Sequence, residues 1–323
     1  MTVTVNVTAT VTVTVLEMIE SAAAQLTAAN VSFGHGTQNA HDEAAWLVLW
    51  RLGYPLEDLD SVKDEAVTPE QAALVAALLT ARIETRKPAA YLTQEAWLQG
   101  VPFFVDERVI VPRSLIAELL ADGGFDAWLG DATRRVLDLC TGGGSLAILA
   151  AMAYPEVSVL GIDVSQDALD VARINIQRHA LQQRIGLRMG DGLTGCTEVF
   201  DLILCNPPYV NAASMAALPP EYRAEPAIAL DGNSLGGRDG MDFIRSLMKD
   251  AARCLSGHGL LVLEVGQERD HFEAAFPRLE AVWLDTSAGP DHVLLLTRDA
   301  LVRGAFSPDP NAAGARRGPY PST

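Results

Sequence analysis

One short stretch of the chain carries the strongest indication of its fold: Arg135-Val136-Leu137-Asp138-Leu139-Cys140-Thr141-Gly142-Gly143-Gly144. Its first six residues form a mostly apolar run, which is typical of a buried strand, and three consecutive glycines then end it. A small, apolar segment follows from Leu146 to Met152, and it is typical of a helix that packs against a sheet. The sequence therefore predicts a strand, a tight glycine turn and a helix.

Further strand-like runs follow, with helical stretches between them. We predict these strands over 157–162, 185–189, 201–205, 259–265 and 293–297, the last of which closes the sheet, and a helix over 240–255. Strands that alternate with helices indicate a mainly parallel, doubly wound sheet. The predicted fold class is therefore α/β.

The chain before residue 96 has a different pattern. Apolar spacing predicts helices between residue 16 and about 90, one of which begins at Thr68 with proline at its first position. We expect residues 16–95 to form a helical substrate-docking domain and residues 96–302 to form the sheet domain. Within residues 1–15, the stretch from Thr2 to Val15 alternates Thr or Asn with Val or Ala, which fits an amphipathic strand or a loose extension, and we favour a loose extension over 1–15. Residues 303–323 are rich in Pro, Ala, Gly and Arg, and we expect them to be disordered.

Composition excludes several classes of protein. The 323 residues include 24 Lys and Arg against 41 Asp and Glu, so the net charge is −17. Such a surface repels phosphate, which argues against direct binding of duplex DNA, and it attracts a basic protein. The sequence contains no run of about 18 consecutive apolar residues, so it predicts no membrane span. The scattered cysteines argue against a zinc site and fit a cytoplasmic protein; they are Cys140, Cys196, Cys205 and Cys254.

Four predicted strands end in residues suited to binding a ligand, and the carboxyl ends of such strands meet at one edge of a doubly wound sheet. The residues are the glycine loop with Gly142 and Gly144, then Asp163, then Asp191, then Asn206-Pro207-Pro208-Tyr209. The loop and Asp163 fit a dinucleotide fingerprint as well. Three carboxylates around the pocket, however, repel a pyrophosphate and stabilise a sulfonium; they belong to Asp138, Asp163 and Asp191. This charge favours S-adenosylmethionine over NAD.

Each of these residues has an expected role at the cofactor. Gly142 and Gly144 let the backbone approach it, and Asp163 accepts hydrogen bonds from the ribose hydroxyls. Asp191 or its neighbours line the adenine, although an Asp before Gly192 is also typical of a plain turn.

The run Asn206-Pro207-Pro208-Tyr209 suits a planar amide or aryl amine as the methyl acceptor. Such a nitrogen is weakly nucleophilic, and two acceptors on its N–H groups orient it and raise its electron density. The Asn206 side-chain oxygen and the Pro207 carbonyl are the candidate acceptors, because proline fixes the backbone and offers no competing donor. Tyr209 stacks on the planar group, so that positioning supplies most of the rate.

Other polar residues carry weaker signals. His35 and His41 lie in the helical part without a third ligand nearby, so we expect capping or packing roles and no metal site. Arg113 fits an ion pair at the edge of the core and a contact to substrate or cofactor equally well.

The motifs Asp138-Leu139-Cys140-Thr141-Gly142-Gly143-Gly144 and Asn206-Pro207-Pro208-Tyr209 resemble those of the class I methyltransferases that modify glutamine side-chain amides in proteins. The resemblance covers roughly residues 16–300. It implies a Rossmann-like methyltransferase domain over 96–302, and it adds Cys140, Thr141 and Asn206 to the cofactor contacts. One branch of the family acts on peptide-chain release factors and the other on large-subunit ribosomal protein three.

Several stretches are similar to the ribosomal branch; among them are 33–37, 39–44, 88–97, 105–114 and 221–226. We therefore expect methyl transfer to one glutamine of ribosomal protein three, free or in an early assembly particle. The alternatives are the release-factor branch, a DNA adenine methyltransferase and a non-catalytic ribosome assembly factor. The sequence departs from the family at 231–240, which looks like an insertion, and at Gly192, where the release-factor branch often has Trp.

Overall fold

The computed structural model describes residues 13–306, and the chain divides into two compact units. The first unit comprises the chain up to Arg113 together with Ala217–Pro226, and the second comprises the rest. Residues 1–12 of the predicted extension and 307–323 of the predicted tail lie outside the described residues.

The elements of the chain up to residue 113 are helices and two antiparallel pairs of short strands, β1 with β2 and β3 with β4. They are β1 (Val13–Thr14), α1 (Val15–Ala28), α2 (Ala40–Leu52), α3 (Leu59–Val62), β2 (Ala66–Val67), α4 (Pro69–Thr85), α5 (Ala89–Thr93), β3 (Ala96–Leu98) and β4 (Val101–Phe103).

The remainder alternates strands with helices. Its elements are α6 (Ile116–Asp122), β5 (Arg135–Leu139), α7 (Ser145–Ala153), β6 (Ser158–Asp163), α8 (Gln166–Arg178), β7 (Ile185–Met189), β8 (Phe200–Cys205), α9 (Ala212–Ala217), α10 (Pro220–Arg223), α11 (Asp242–Asp250), β9 (Leu255–Glu264), α12 (Arg269–Ala275), β10 (Val282–Leu284), β11 (Val293–Thr297) and α13 (Arg298–Phe306). Short 3-10 helices cover Asp126–Trp128, Ala227–Ala229 and Ala251–Arg253.

The helices of the first unit begin where the sequence predicts. The Thr68 hydroxyl accepts from the Gln71 N–H, and the Gln71 side chain accepts from the Thr68 N–H, so two of the free N–H groups at the start of α4 are satisfied. Thr14 and Glu17 form the same box at the start of α1. The strand β1, just before that box, pairs with β2, so residues 13–15 are more ordered than the extension we favoured.

A buried ion network ties the segment Ala217–Pro226 into the first unit. Arg82 donates to Glu43 at 2.8 Å and lies 3.6 Å from Glu221, and none of these three side chains is more than 1% exposed. Arg86 donates to the same Glu221 carboxylate at 3.0 Å. A charge buried this deeply is stable only with its partner, so the network fixes where the segment packs.

Another buried carboxylate, that of Glu225, binds residues near the end of the first unit's N-terminal stretch. It accepts from the Val111 N–H at 2.9 Å and from two nitrogens of Arg113 at 2.6 and 2.7 Å. These contacts place residues up to 113 in the first unit, whereas the sequence predicted a boundary after residue 95. Of the two roles left open for Arg113, the structure shows the ion pair. His35 packs on the same carboxylate, with its Nε2 3.4 Å away, and His41 lies at the surface.

The second unit is built on a seven-stranded sheet with the order β10-β11-β9-β8-β5-β6-β7. The five strands from β9 to β7 are parallel to one another, whereas β11 is antiparallel to β9 and β10 is antiparallel to β11. Leu137, Ile203 and Leu261, from the three inner strands, are fully buried. The predicted mainly parallel, doubly wound α/β fold is confirmed.

Two details at the end of the chain differ from the sequence prediction. The strand at 293–297 does not close the sheet, because β10 pairs outside it. A three-residue strand is too short to show the alternation by which strands are recognised. Residues 303–306 of the predicted tail belong to α13, and Ala300 and Leu301 bury that helix against the core. Within the described part of the chain, no helix is long and apolar enough to cross a membrane.

The Arg82 network makes a testable prediction about stability. Replacing Glu43 with Gln removes the shorter of the two ion contacts of Arg82 and leaves its charge undercompensated in the core. We expect the free energy of unfolding to fall by about 3 kcal/mol, measured by chemical denaturation. Asp60→Asn, which breaks the exposed pair with Lys63, is the matched control and should leave the denaturation midpoint unchanged. Equal effects of the two substitutions would contradict the role of burial.

Candidate active site

The loop between β5 and α7 is shaped by one buried carboxylate. Asp138 lies near the end of β5, is 1% exposed, and accepts with the same oxygen from the Thr141 hydroxyl at 2.6 Å and from the Ala147 N–H at 2.9 Å. The two bonds hold the loop against the first turn of α7. Burial raises the pKa of Asp138 to about 7.

The glycines of this loop adopt conformations that other residues rarely reach. Gly142 has φ +52° and Gly144 has φ +81°. A Cβ on Gly144 would approach Ala172 of α8 to 3.1 Å, whereas a Cβ on Gly142 would meet no atom within 4 Å. Gly144 therefore permits close helix packing, and the space at Gly142 is open to a ligand.

Asp163 at the end of β6 is joined to the same loop. One carboxylate oxygen accepts from the Gly142 N–H at 2.8 Å and the other from the Ser165 N–H at 2.9 Å. Burial raises the pKa of Asp163, although these backbone donors oppose the shift. Each oxygen keeps a second lone pair for a ligand hydroxyl. The predicted grouping of Asp138, Asp163 and the glycine loop is thus present.

Two further predicted cofactor residues have different surroundings. Cys140 has φ +61°, and a hydrogen bond with Cys205 raises the pKa of its thiol well above the usual range. The raised pKa favours the neutral thiol of Cys140 at neutral pH. Asp191 lies beyond the end of β7 at the same edge of the sheet, where it is exposed and begins a turn with Thr194.

The run Asn206-Pro207-Pro208-Tyr209 follows β8, which lies directly beside β5. The register pairs Leu139 with Cys205, so Asn206 and Cys140 leave adjacent strands at the same height. Asn206, Pro208 and Tyr209 are partly exposed, and Pro207 is buried. Along this edge the strand ends lie in the order β8, β5, β6, β7. The four groups of predicted ligand-binding residues, one after each strand, therefore lie in one row.

Sequence reasoning did not single out Glu264, which stands at the end of β9. It is 4% exposed, and its carboxylate accepts from the Ser114 hydroxyl at 2.5 Å, the Leu115 N–H at 3.0 Å and the Tyr209 hydroxyl at 3.3 Å. Burial raises the pKa of Glu264 against the effect of these donors. The signal available in the sequence was an acid at the end of an apolar strand, the same position that Asp163 occupies.

The loop 231–240, which the sequence marked as an insertion, packs with the preceding Leu230 on the residues after Tyr209. Val210 donates its N–H to the Leu230 carbonyl at 2.9 Å and accepts from the Gly232 N–H at 3.2 Å. A Cβ on Gly240, which has φ +79°, would lie 2.0 Å from the Tyr209 carbonyl oxygen. The loop is therefore part of the support of the Asn206–Tyr209 run.

The pocket fits a cofactor that is cationic and donates hydrogen bonds. Among the described residues, nothing donates to the buried Oδ1 of Asp138, which leaves a strong acceptor unused. Burying such an atom without a partner is costly, so a ligand donor there is favourable. Together with Asp163, it suits the positive charge and hydroxyl groups of S-adenosylmethionine better than a pyrophosphate.

Comparison with known proteins agrees with this geometry. The family model "Methyltransferase small domain" matches residues 117–218, and "PrmC N-terminal domain" matches residues 17–93. Three curated relatives are named ribosomal protein uL3 glutamine methyltransferase. The protein from Bordetella pertussis is 52% identical over 88% of this chain and 95% of its own length. The protein from Burkholderia pseudomallei is 47% identical over 87% of this chain and 94% of its own length. The protein from Neisseria gonorrhoeae is 44% identical over 89% of this chain and 95% of its own length.

These relatives confirm the resemblance that the motifs indicated, including its ribosomal branch. The match runs over nearly the whole length of each relative, so it includes both units of the chain. The chain belongs to the family of ribosomal protein uL3 glutamine methyltransferases.

Proposed function

We propose that this chain transfers a methyl group from S-adenosylmethionine to the side-chain amide nitrogen of one glutamine in the large-subunit ribosomal protein uL3. The observation that carries the proposal is the row of strand ends, in which Asn206-Pro207-Pro208-Tyr209 follows β8 beside the Asp138 loop. Membership in the family supports the substrate.

The residues at β5 and β6 hold the cofactor in this proposal. S-adenosylmethionine, when bound, supplies an electrophilic methyl group on a positively charged sulfur. The free oxygen of Asp138 accepts from the cationic end of the cofactor, and Asp163 accepts from its ribose hydroxyls. Gly142 and Gly144 let the backbone approach the cofactor. Cys140 and Thr141 complete the same loop, and Asp191 borders the adenine.

The run after β8 holds the target amide. Asn206 accepts one amide hydrogen with its side-chain oxygen, and Pro207 accepts the other with its carbonyl. Two acceptors increase the electron density on the nitrogen and aim it at the methyl group, and both are held by a backbone that two prolines restrict. Tyr209 and Pro208 pack on the planar amide. Positioning would then supply most of the acceleration. As the bond from the amide nitrogen to the methyl carbon forms, the carbon–sulfur bond would break and the neutral thioether would leave, and the nitrogen would give its proton to water without a dedicated base.

The charge of the chain suits the proposed partner. The net charge of −17 attracts a basic ribosomal protein and repels nucleic acid. We propose that the first unit docks uL3, free or in an early assembly particle, and that the reaction takes place in the cytoplasm. Association should be faster at low ionic strength, since salt screens such attraction over about 10 Å.

Substrate choice is the first test. The purified chain is incubated with S-adenosylmethionine that carries a radioactive methyl group and with uL3, a peptide-chain release factor or duplex DNA. We expect label in uL3 alone, because family and charge both favour it. Label only in the release factor would move the chain to the sister branch. Label in adenine would overturn the protein substrate altogether.

The second test removes the proposed amide acceptor. Asn206→Ala should lower kcat about a hundredfold or more, because a preorganised polar group at a reacting centre is lost. Cofactor affinity, measured by calorimetry, should change little. Asn211→Ala is a matched control on the same loop, since Asn211 pairs with Glu268 and caps α9. Near wild-type turnover by Asn206→Ala would refute the amide-acceptor role.

The pKa of Asp138 makes the third test. Its value of about 7 means that the carboxyl is partly protonated at neutral pH, whereas a cationic ligand requires the ionised form. Binding therefore lowers this pKa and releases a proton, and affinity rises with pH through the pKa of the free protein. We expect S-adenosylmethionine to bind roughly five- to tenfold more tightly at about pH 7.5 than at about pH 6.

Calorimetry in buffers with different heats of ionisation measures how many protons are released when S-adenosylmethionine binds. Asp138→Asn should lose the pH dependence, and Asp191→Asn, at an exposed position of the same edge, should keep it. An affinity of the unaltered chain that does not change with pH would contradict the proposed contact.

A further inference from the structure

Glu264 is placed by the sheet at the side of the Asn206–Tyr209 run. Strands β8 and β9 are parallel, and their register pairs Cys205 with Leu263. The next residues on the two strands are Asn206 and Glu264, so the carboxylate stands beside the start of the run. Its longest contact is the 3.3 Å hydrogen bond from the Tyr209 hydroxyl.

The other contacts of Glu264 make it a rigid support. Ser114 and Leu115 both donate to its Oε2, while the Tyr209 hydroxyl donates to its Oε1. Two donors on one oxygen fix the plane of the carboxylate, and the second oxygen is thereby aimed at Tyr209. With 4% exposure, the carboxylate has little water to compete with these donors.

Glycines define the space in which the Tyr209 ring lies. A Cβ on Gly266, which has φ +53°, would approach the Tyr209 ring to 2.5 Å. A Cβ on Gly240 would lie 2.0 Å from the Tyr209 carbonyl oxygen, so the two backbones approach closely there. Close approach thus limits the space at the backbone and at the hydroxyl end of the Tyr209 ring, and the hydrogen bond to Glu264 adds a directional contact at that end.

We infer that Glu264 is a positioning residue for methyl transfer, which through its hydrogen bond to the Tyr209 hydroxyl sets the orientation in which the ring receives the substrate amide. The inference rests on the proposed function, in which Tyr209 packs on that amide. Glu264 does not itself contact substrate. At 3.3 Å the bond is long for a hydroxyl and a carboxylate, so it supplies orientation more than binding energy.

The test is a double-mutant cycle on the full chain with uL3 as substrate. Tyr209→Phe keeps the ring and removes the bond, and Glu264→Gln keeps the size of the side chain and replaces one acceptor with a donor. We expect each to lower kcat about tenfold with little change in KM, because the ring is present but less well oriented. The double variant should be no slower than either single variant, since both remove one interaction.

A purely structural role would give a different pattern. Asp201→Asn is the matched control, because Asp201 also accepts from two backbone N–H groups, of Arg134 and Arg135, but at the opposite ends of the strands. It should lower the thermal midpoint and leave kcat unchanged. Additive losses of kcat in the double variant, or full kcat in Tyr209→Phe, would overturn the inference.

Two precautions keep the result decisive. If Glu264→Gln does not fold, Tyr209→Phe with Ser114→Ala completes the cycle, because Ser114 holds the same carboxylate. Methylation of uL3 by the unaltered chain is measured first. Its absence would refute the proposed function, whereas activity of the unaltered chain together with full activity of Tyr209→Phe would refute only the role of Glu264.

Discussion

The hydrogen bonds from Thr141 and Ala147 to the buried carboxylate of Asp138 are the constraint on which the site depends. One oxygen joins the end of β5, the glycine loop and the first turn of α7, and it leaves the other oxygen buried without a donor among the described residues. Burying an ionised carboxylate without a donor costs free energy, and the same burial raises the pKa of Asp138. Among the described residues, the fold thus leaves one buried acceptor without a donor, and in the proposed function the cationic end of the cofactor supplies that donor.

Parallel pairing then brings the rest of the site to this acceptor. Because β9, β8, β5, β6 and β7 all run in one direction, their carboxyl ends form a single row. In the function proposed above, each end has a different role: a supporting acid, an amide-binding run, a glycine loop, a ribose acceptor and an exposed turn. The chemistry of methyl transfer is thus distributed over residues far apart in sequence, and the register of the sheet alone decides which of them are neighbours.

Most of the sheet could be predicted from the sequence, because its inner strands are apolar runs that end in glycine, acid or proline signals. The start of α4 could be predicted as well, since Thr68, Pro69 and Gln71 act through local contacts. The edge strand β10 could not, because three residues carry too little periodicity. The packing of Ala217–Pro226 in the first unit depends on Arg82 and Arg86, far earlier in the chain, and such long-range ion contacts leave no local pattern.

The residues of the candidate site likewise fall into those that the sequence could predict and those that it could not. Glycine, aspartate and the Asn-Pro-Pro-Tyr run are local motifs, and the structure gathers the residues that the sequence marked. Glu264 is separated from Tyr209 in the sequence by α9, α10, α11 and two 3-10 helices, so only the pairing of β8 with β9 reveals their contact. The sequence could suggest an acid at a strand end but not which side chain it supports.

The most direct measurement of the central claim is mass spectrometry of uL3 isolated from cells that express this chain and from the same cells with its gene deleted. Our account predicts one glutamine that carries a single methyl group in the first sample and is unmodified in the second. Restoring the intact gene should restore the modification, and restoring the Asn206→Ala form should not. A uL3 that is methylated equally in both cell lines, or methylated in neither, would contradict the account.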